Sequence, residues 1–114
     1  MDQLSFEAID EIGRGLEREE LARRDSFQPR REAVFSAGGM QIRVTCMKSA
    51  NEGCHFVASV RLPAPRGAAC AQELTAGLSG GCSSASTAVR VLAMHIRAAA
   101  RSAAAAADYL EGMP

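Results

Sequence analysis

The strongest constraint in this chain is strict alternation of apolar and polar residues through its middle. Met40, Ile42, Val44 and Cys46 alternate with Gln41, Arg43 and Thr45. After the turn-favouring stretch Ser49-Ala50-Asn51-Glu52-Gly53, Cys54, Phe56, Ala58, Val60 and Leu62 alternate with His55, Ser59 and Arg61. Successive strand residues point to opposite faces, so the pattern predicts two antiparallel strands with one buried face. Setting Lys48 opposite Cys54 brings together Cys46/Phe56, Val44/Ala58, Ile42/Val60 and Met40/Leu62, and makes that face continuous. A shorter strand over Glu32–Ser36, joined through Ala37-Gly38-Gly39, completes a three-stranded meander.

Helical spacing takes over on both sides. Residues 5–24 read as a helix capped by Ser5, with Glu7 in its first turn and Ile9, Ile12 and Leu16 as its apolar positions. Acid-before-base pairs four apart (Asp10/Arg14, Glu19/Arg23, Glu20/Arg24) support it by a few tenths of a kcal/mol each. Gly13 and Gly15 oppose it by about 1 kcal/mol each, so they mark either a close helix contact or a local break. Pro29 bounds this element, and Pro63 and Pro65 end the third strand. Residues 63–83 read as an irregular connector with one or two helical turns across Ala68–Leu78. Ser83 or Ser84 then caps the longest helix, which runs to about Glu111 with Gly112 just beyond. The expected fold is one α+β domain over residues 1–114: helix, three antiparallel strands, connector and long helix, with both helices on one sheet face.

The long helix carries its own signal. Val89, Leu92, Ile96, Ala99, Ala103, Ala106 and Leu110 are spaced alternately three and four apart, which makes a single seam. At 1.5 Å per residue the helix is roughly 40 Å long, longer than the sheet it must cover. Its C-terminal half is therefore expected to project, with Leu92, Ile96, Ala99, Ala103, Ala106 and Leu110 as a dimer seam. The bland alternative is an exposed Ala helix formed by propensity alone.

Charge narrows the function classes. Thirteen Lys+Arg balance thirteen Asp+Glu, aromatics are 4% and Trp is absent. Neither the phosphate-neutralising footprint nor the stacking platform of a general nucleic-acid binder is present. The balance hides an asymmetry: residues 1–25 carry eight acids against four Arg, whereas residues 26–101 carry nine bases against three acids. That split fits internal neutralisation or a charged contact surface. Two sets of residues are candidates for partner binding. Arg43, His55 and Arg61 lie on the outer sheet face with Thr45, Met47, Val57 and Ser59. Arg90, Arg97 and Arg101 form one stripe of the long helix, with Asp108 further along. Arg supplies a planar fork suited to carboxylates or phosphates, although most charge stripes are simply solvated.

Catalytic and metal readings are weaker. Cys46, Cys54, His55 and Cys82 lack the short paired spacing of structural zinc sites. Cys82 at a helix start needs a base to act as a nucleophile, and only His55 and His95 exist. No catalytic residue, metal or other cofactor is expected. With no basic n-region or apolar h-region at Met1–Ser5 and no span of about 20 apolar residues, the chain reads as cytoplasmic with reduced thiols. The function expected is a non-enzymatic protein-binding module, homodimeric, acting as an inhibitor or adaptor. The anti-defence (anti-CRISPR-type) proteins of phages and plasmids share this size and lack of motifs. The alternatives are a nucleic-acid-binding regulator using the Arg-lined surface and a secretion-chaperone-like protein.

Overall fold

A computed structural model describes residues 5–23, 30–37, 39–49, 53–61, 73–76 and 82–114. Leu62, Cys70 and the Gly80-Gly81 break lie outside the described residues. Helix α1 spans Phe6–Ala22, and the Ser5 hydroxyl caps it by accepting from the Ala8 backbone N–H at 3.1 Å. Strands β1 (Glu32–Ala37), β2 (Met40–Ser49), β3 (Gly53–Arg61) and β4 (Glu73–Ala76) follow, and helix α2 (Ala85–Glu111) closes the order. All strand pairs are antiparallel, in the order β1-β2-β3-β4.

The β2–β3 register is the one that the alternation predicts, with Lys48 opposite Cys54, Cys46 opposite Phe56, Val44 opposite Ala58 and Ile42 opposite Val60. Gly39 and Gly53, at the two hairpin turns, have φ of 80° and 75°, a region where a Cβ is unfavourable. The expected α+β architecture and its helix–strand–helix order are present. Part of the segment that reads as an irregular, partly helical connector is instead β4, which pairs Glu73 with Arg61 and Ala76 with Ala58.

Both helices cover one face. Ile42, Val44, Cys46, Phe56, Ala58 and Val60 are buried on the sheet, beneath Ile9 and Leu16 of α1 and Ala85, Ala88 and Leu92 of α2. α1 lies over β2, and α2 over β3 and β4. The two helices meet where side chains are smallest. A Cβ on Gly13 would stand 2.7 Å from the Ala85 Cβ and 3.3 Å from Cε1 of Phe56. Gly13 is therefore the close helix contact rather than a break, and it holds the inward position that the spacing assigned to Ile12. Ile12 is 43% exposed. Gly15, two residues on, faces open space, with only the far end of Arg18 at 3.9 Å.

These two glycines give opposite expectations in urea unfolding. Gly15→Ala should raise stability by up to about 1 kcal/mol, because it removes helix-interior glycine entropy without a clash. Gly13→Ala should lower stability by about 1–3 kcal/mol, because it overpacks the crossing. Changes of the same sign at both positions would contradict this packing.

Candidate functional site

Helix α2 is anchored at its first turn, which fixes where the rest of it points. Ser84 caps it, accepting from the Thr87 backbone N–H at 3.2 Å. A second cap comes from α1: Asp10 Oδ1 accepts from the Ser86 N–H at 2.9 Å, and Oδ2 accepts from the Ser86 hydroxyl at 2.8 Å. The unsatisfied N–H groups and positive end of a helix dipole favour such a carboxylate. These Ser86 hydrogen bonds hold the Asp10 pKa below its ordinary 3.8, with Arg14 and Arg90 adding to the effect. One residue before the cap region, the Cys82 carbonyl accepts from the Phe56 N–H at 3.0 Å and ties the approach to the sheet. One turn further on, the Arg90 guanidinium sits 4.4 Å from the centre of the Phe6 ring, a cation–π contact back to α1.

Beyond this anchor α2 outruns its support. Ala85, Ala88 and Leu92 are buried and Ile96 is half-buried against the core. Every residue from Arg97 onward is exposed. The predicted seam thus divides: Leu92 and Ile96 belong to the fold, while Ala99, Ala103, Ala106 and Leu110 continue their line into solvent. The projecting arm, residues 97–111, is about 22 Å long. Near its end Tyr109, Leu110 and Met113 are 75%, 64% and 57% exposed. All four charged side chains of residues 97–111 (Arg97, Arg101, Asp108 and Glu111) lie around the helix from the seam, which is left uncharged.

The outer sheet face is the second candidate surface, since both helices lie on the other side. Arg43, Thr45, Met47, His55, Val57 and Ser59 are half-buried there by their own neighbours, and Val34 of β1 and Arg61 are exposed. Arg43 Nε stands 3.8 Å from Glu32 Oε2. His55 lies opposite Met47 in the register, and its Nδ1 is enclosed with no hydrogen bond among the described residues. The six predicted partner-binding residues therefore fall on two separate surfaces: Arg43, His55 and Arg61 on the sheet, Arg90, Arg97 and Arg101 on α2. Of the helical three, Arg90 is engaged with Phe6, and Arg97 and Arg101 lie on the arm.

Two acidic residues near the end of α1 are engaged by arginines. Glu20 is only 4% exposed. Its Oε2 accepts from Arg23 Nε at 3.2 Å, and its Oε1 accepts from Arg23 Nη2 at 3.0 Å and Arg30 Nε at 3.4 Å. Burial pushes the Glu20 pKa up, but the two guanidiniums outweigh it and hold the carboxyl below its usual range. Glu19 Oε1 accepts from Arg31 Nη1 at 2.6 Å. Together with Leu16 and Cys46 these groups line a cavity of about 380 Å³ at the end of α1.

The thiols are structural in their surroundings. Cys46, Cys54 and Cys82 are free. Cys46 and Cys54 share the core face, and Cys82 bridges to Phe56, the cross-strand neighbour of Cys46. Burial, the Cys54 thiol beside it and the carboxylates of Glu17 and Glu20 push the Cys46 pKa up to about 12, so its reactive thiolate is suppressed. Alternation sends His55 to the opposite face, and His95 is exposed on α2. Among the described residues no group of three or more His, Cys, Asp or Glu is placed to hold a metal ion, and no helix is long and apolar enough to cross a membrane. Spacing alone could not reveal the Asp10–Ser86 contact, because its residues are 76 apart.

Asp10 gives a pH-dependent expectation. A carboxylate whose pKa is lower in the folded state stabilises that state fully above the unfolded value, and this contribution disappears as pH falls through the folded value. Asp10→Ala should cost about 0.5–2 kcal/mol at neutral pH, the range for losing a helix cap. Unfolding curves of the variant and the unmodified chain should converge below the ordinary 3.8 of the carboxyl. A gap that persists in acid would contradict the cap. The chain matches no protein-family model, and neither a curated protein nor a solved structure is significantly similar to it.

Proposed function

We propose that this chain is a small non-enzymatic protein-binding module whose contact element is the projecting arm of α2. The observation that carries this reading is the uncharged seam of Ala99, Ala103, Ala106 and Leu110, exposed beyond the sheet and flanked by Tyr109 and Met113. Exposed apolar surface that is contiguous and rimmed by charge marks contact sites more often than scattered apolar residues do. The outer sheet face, with Val34, Met47, Val57 and His55 among Arg43 and Arg61, is a second patch of mixed character and supplies a further docking surface.

Surface complementarity is a stoichiometric mode of action, so the chain works as a homodimeric inhibitor or adaptor. Its size fits the anti-defence proteins carried by phages and plasmids as well as secretion chaperones, and no residue separates these roles. Three unbonded thiols, two of them neighbours on one sheet face, fit a reducing cytoplasm. A nucleic-acid reading would draw chiefly on Arg97 and Arg101, since Arg43 has Glu32 beside it and Arg90 covers Phe6.

Capture with a tagged chain from the cells that carry its gene, co-expressed with an untagged copy, tests the reading. Apart from that copy, the captured material should be protein, resist nuclease, and be lost on Ala103→Glu while thermal unfolding is unchanged. Capture that is nuclease-sensitive, or other proteins still held by Ala103→Glu, would overturn it. Heparin retention should also be weak. A steep loss of retention with salt would favour phosphate binding instead.

A further inference from the structure

We infer that the free edge of β1 pairs antiparallel with β1 of a second copy of this chain, about a two-fold axis at Val34, joining the two sheets into one. This rests on the reading of the chain as a homodimer and names its surface. It is independent of the arm, which is left for a different protein.

The edge is open along its whole length. β1 ends the strand order β1-β2-β3-β4, so alternate residues of Glu32–Ala37 direct their N–H and C=O groups away from β2. No strand lies beyond them among the described residues. Exposed edges are ordinarily guarded by Lys, Pro, a bulge or a very short strand. β1 carries neither Lys nor Pro, and its six residues pair with β2 without interruption. The opposite edge, β4, is only four residues long and has α2 over it.

Apolar side chains stand on both sides of this edge. Val34 is 53% exposed on the outer face, and Phe35 is half-buried on the helix face. Above them Ile12 is 43% exposed. It lies on the flank of α1 opposite Asp10, which faces α2. It also lies two turns before Glu19, which accepts from Arg31 at the start of β1. That flank therefore looks over β1. Because α1 ends beside the start of β1, the two elements run in opposite directions. The seven residues from Glu19 back to Ile12 span about 10.5 Å, or about three strand residues, which brings Ile12 level with Val34.

A second copy matches what surrounds the edge. The axis at Val34 sets Val34 against the partner's Val34, Ala33 against the partner's Phe35 and Glu32 against the partner's Ser36. Apolar then faces apolar, polar faces polar, and the largest side chain meets a small one. An axis at Ala33 would set Val34 against the partner's Glu32, and a parallel pair would set Glu32 beside the partner's Glu32. The helix layer agrees with this register. α1 lies over β2, so the two α1 helices stand three strand spacings apart, roughly 14 Å. Helices in direct contact pack at about 8–10 Å, and an Ile12 from each copy fills the difference above Phe35. A lone extended peptide would cover Val34 and Phe35 but leave Ile12, one layer above the sheet, open. Two-fold pairing also uses up the edge in both copies, so assembly closes at the dimer.

A residue meets its own counterpart only at the axis, so charges placed at Val34 read the register directly. Sedimentation equilibrium of up to roughly 300 µM protein, a concentration chosen for micromolar affinity, should show the unmodified chain dimerising. Val34→Glu and Val34→Lys should each weaken self-association by about tenfold or more, since like charges directly opposite are destabilising. An equimolar mixture of the two should recover to within about tenfold of the unmodified chain. Ile12→Lys should weaken the dimer by about tenfold as well, because it buries an unpaired charge. Ala103→Glu, beyond the sheet, should leave it unchanged. Val34 and Ile12 are both exposed in the single chain, and thermal unfolding of each dilute variant monitors the fold. A mixture as monomeric as its two components would overturn the axis at Val34. A variant at Val34 or Ile12 that dimerises normally, an unmodified chain that stays monomeric, or loss of the dimer on Ala103→Glu would overturn β1 as the interface. The arm is decided separately, by what the Ala103→Glu chain captures.

Discussion

Everything in this structure follows from how closely α1 and α2 cross over the sheet. Gly13 lets the Ala85 Cβ and the Phe56 ring approach to a distance that no other residue would allow. Just beside the crossing, Asp10 closes the N-terminus of α2 by accepting from both the backbone and the hydroxyl of Ser86. With its start pinned to α1 and its first three turns laid on β3 and β4, α2 has no freedom to centre itself on the sheet. A helix of about 40 Å anchored at one end must overhang at the other. The arm is thus a consequence of the anchor.

The same economy explains the charge pattern. Part of the acidic first segment is neutralised within the fold. Asp10 goes to a helix terminus, Glu20 to Arg23 and Arg30, and Glu19 to Arg31. Exposed ion pairs of the Glu19–Arg31 kind contribute little. Glu20 differs, because removing either Arg would leave its buried carboxylate undercompensated. Asp10 and Glu20 therefore act as internal fastenings, while Glu7 and Glu11 stay exposed on α1.

Most of the architecture is legible in the residues. Alternation through Met40–Cys46 and Cys54–Val60 specifies the β2–β3 register residue by residue, since a slip of one would turn Val44 and Ala58 to solvent. Ser5 and Ser84 mark helix starts because orphan backbone N–H groups need those side chains, and Gly112 closes α2 with its N–H bonded back to the Asp108 carbonyl. The strand Glu73–Ala76 is not legible: Glu-Leu-Thr-Ala is too short to show a period, and it is held by its ladder to β3 rather than by its own preference. The choice of Gly13 over Ile12 for the inward position is hidden for a related reason, because only the approach of Ala85 and Phe56 makes an absent side chain the better fit. The seam of the candidate site is visible as spacing, but the point where it leaves the core, at Ile96, depends on where the sheet ends. The separation of Arg90, which sits over Phe6, from Arg97 and Arg101 on the arm likewise needs the tertiary arrangement.

The central claim is that the arm of α2 is a covered contact element rather than a bare helix. Amide hydrogen exchange across α2, compared in the chain alone and in its complex with the captured protein, tests it most directly. The account predicts that residues 97–111 exchange rapidly in the chain alone and gain protection in the complex, while residues 85–96 stay protected throughout. Equally fast exchange of residues 97–111 in both would contradict it.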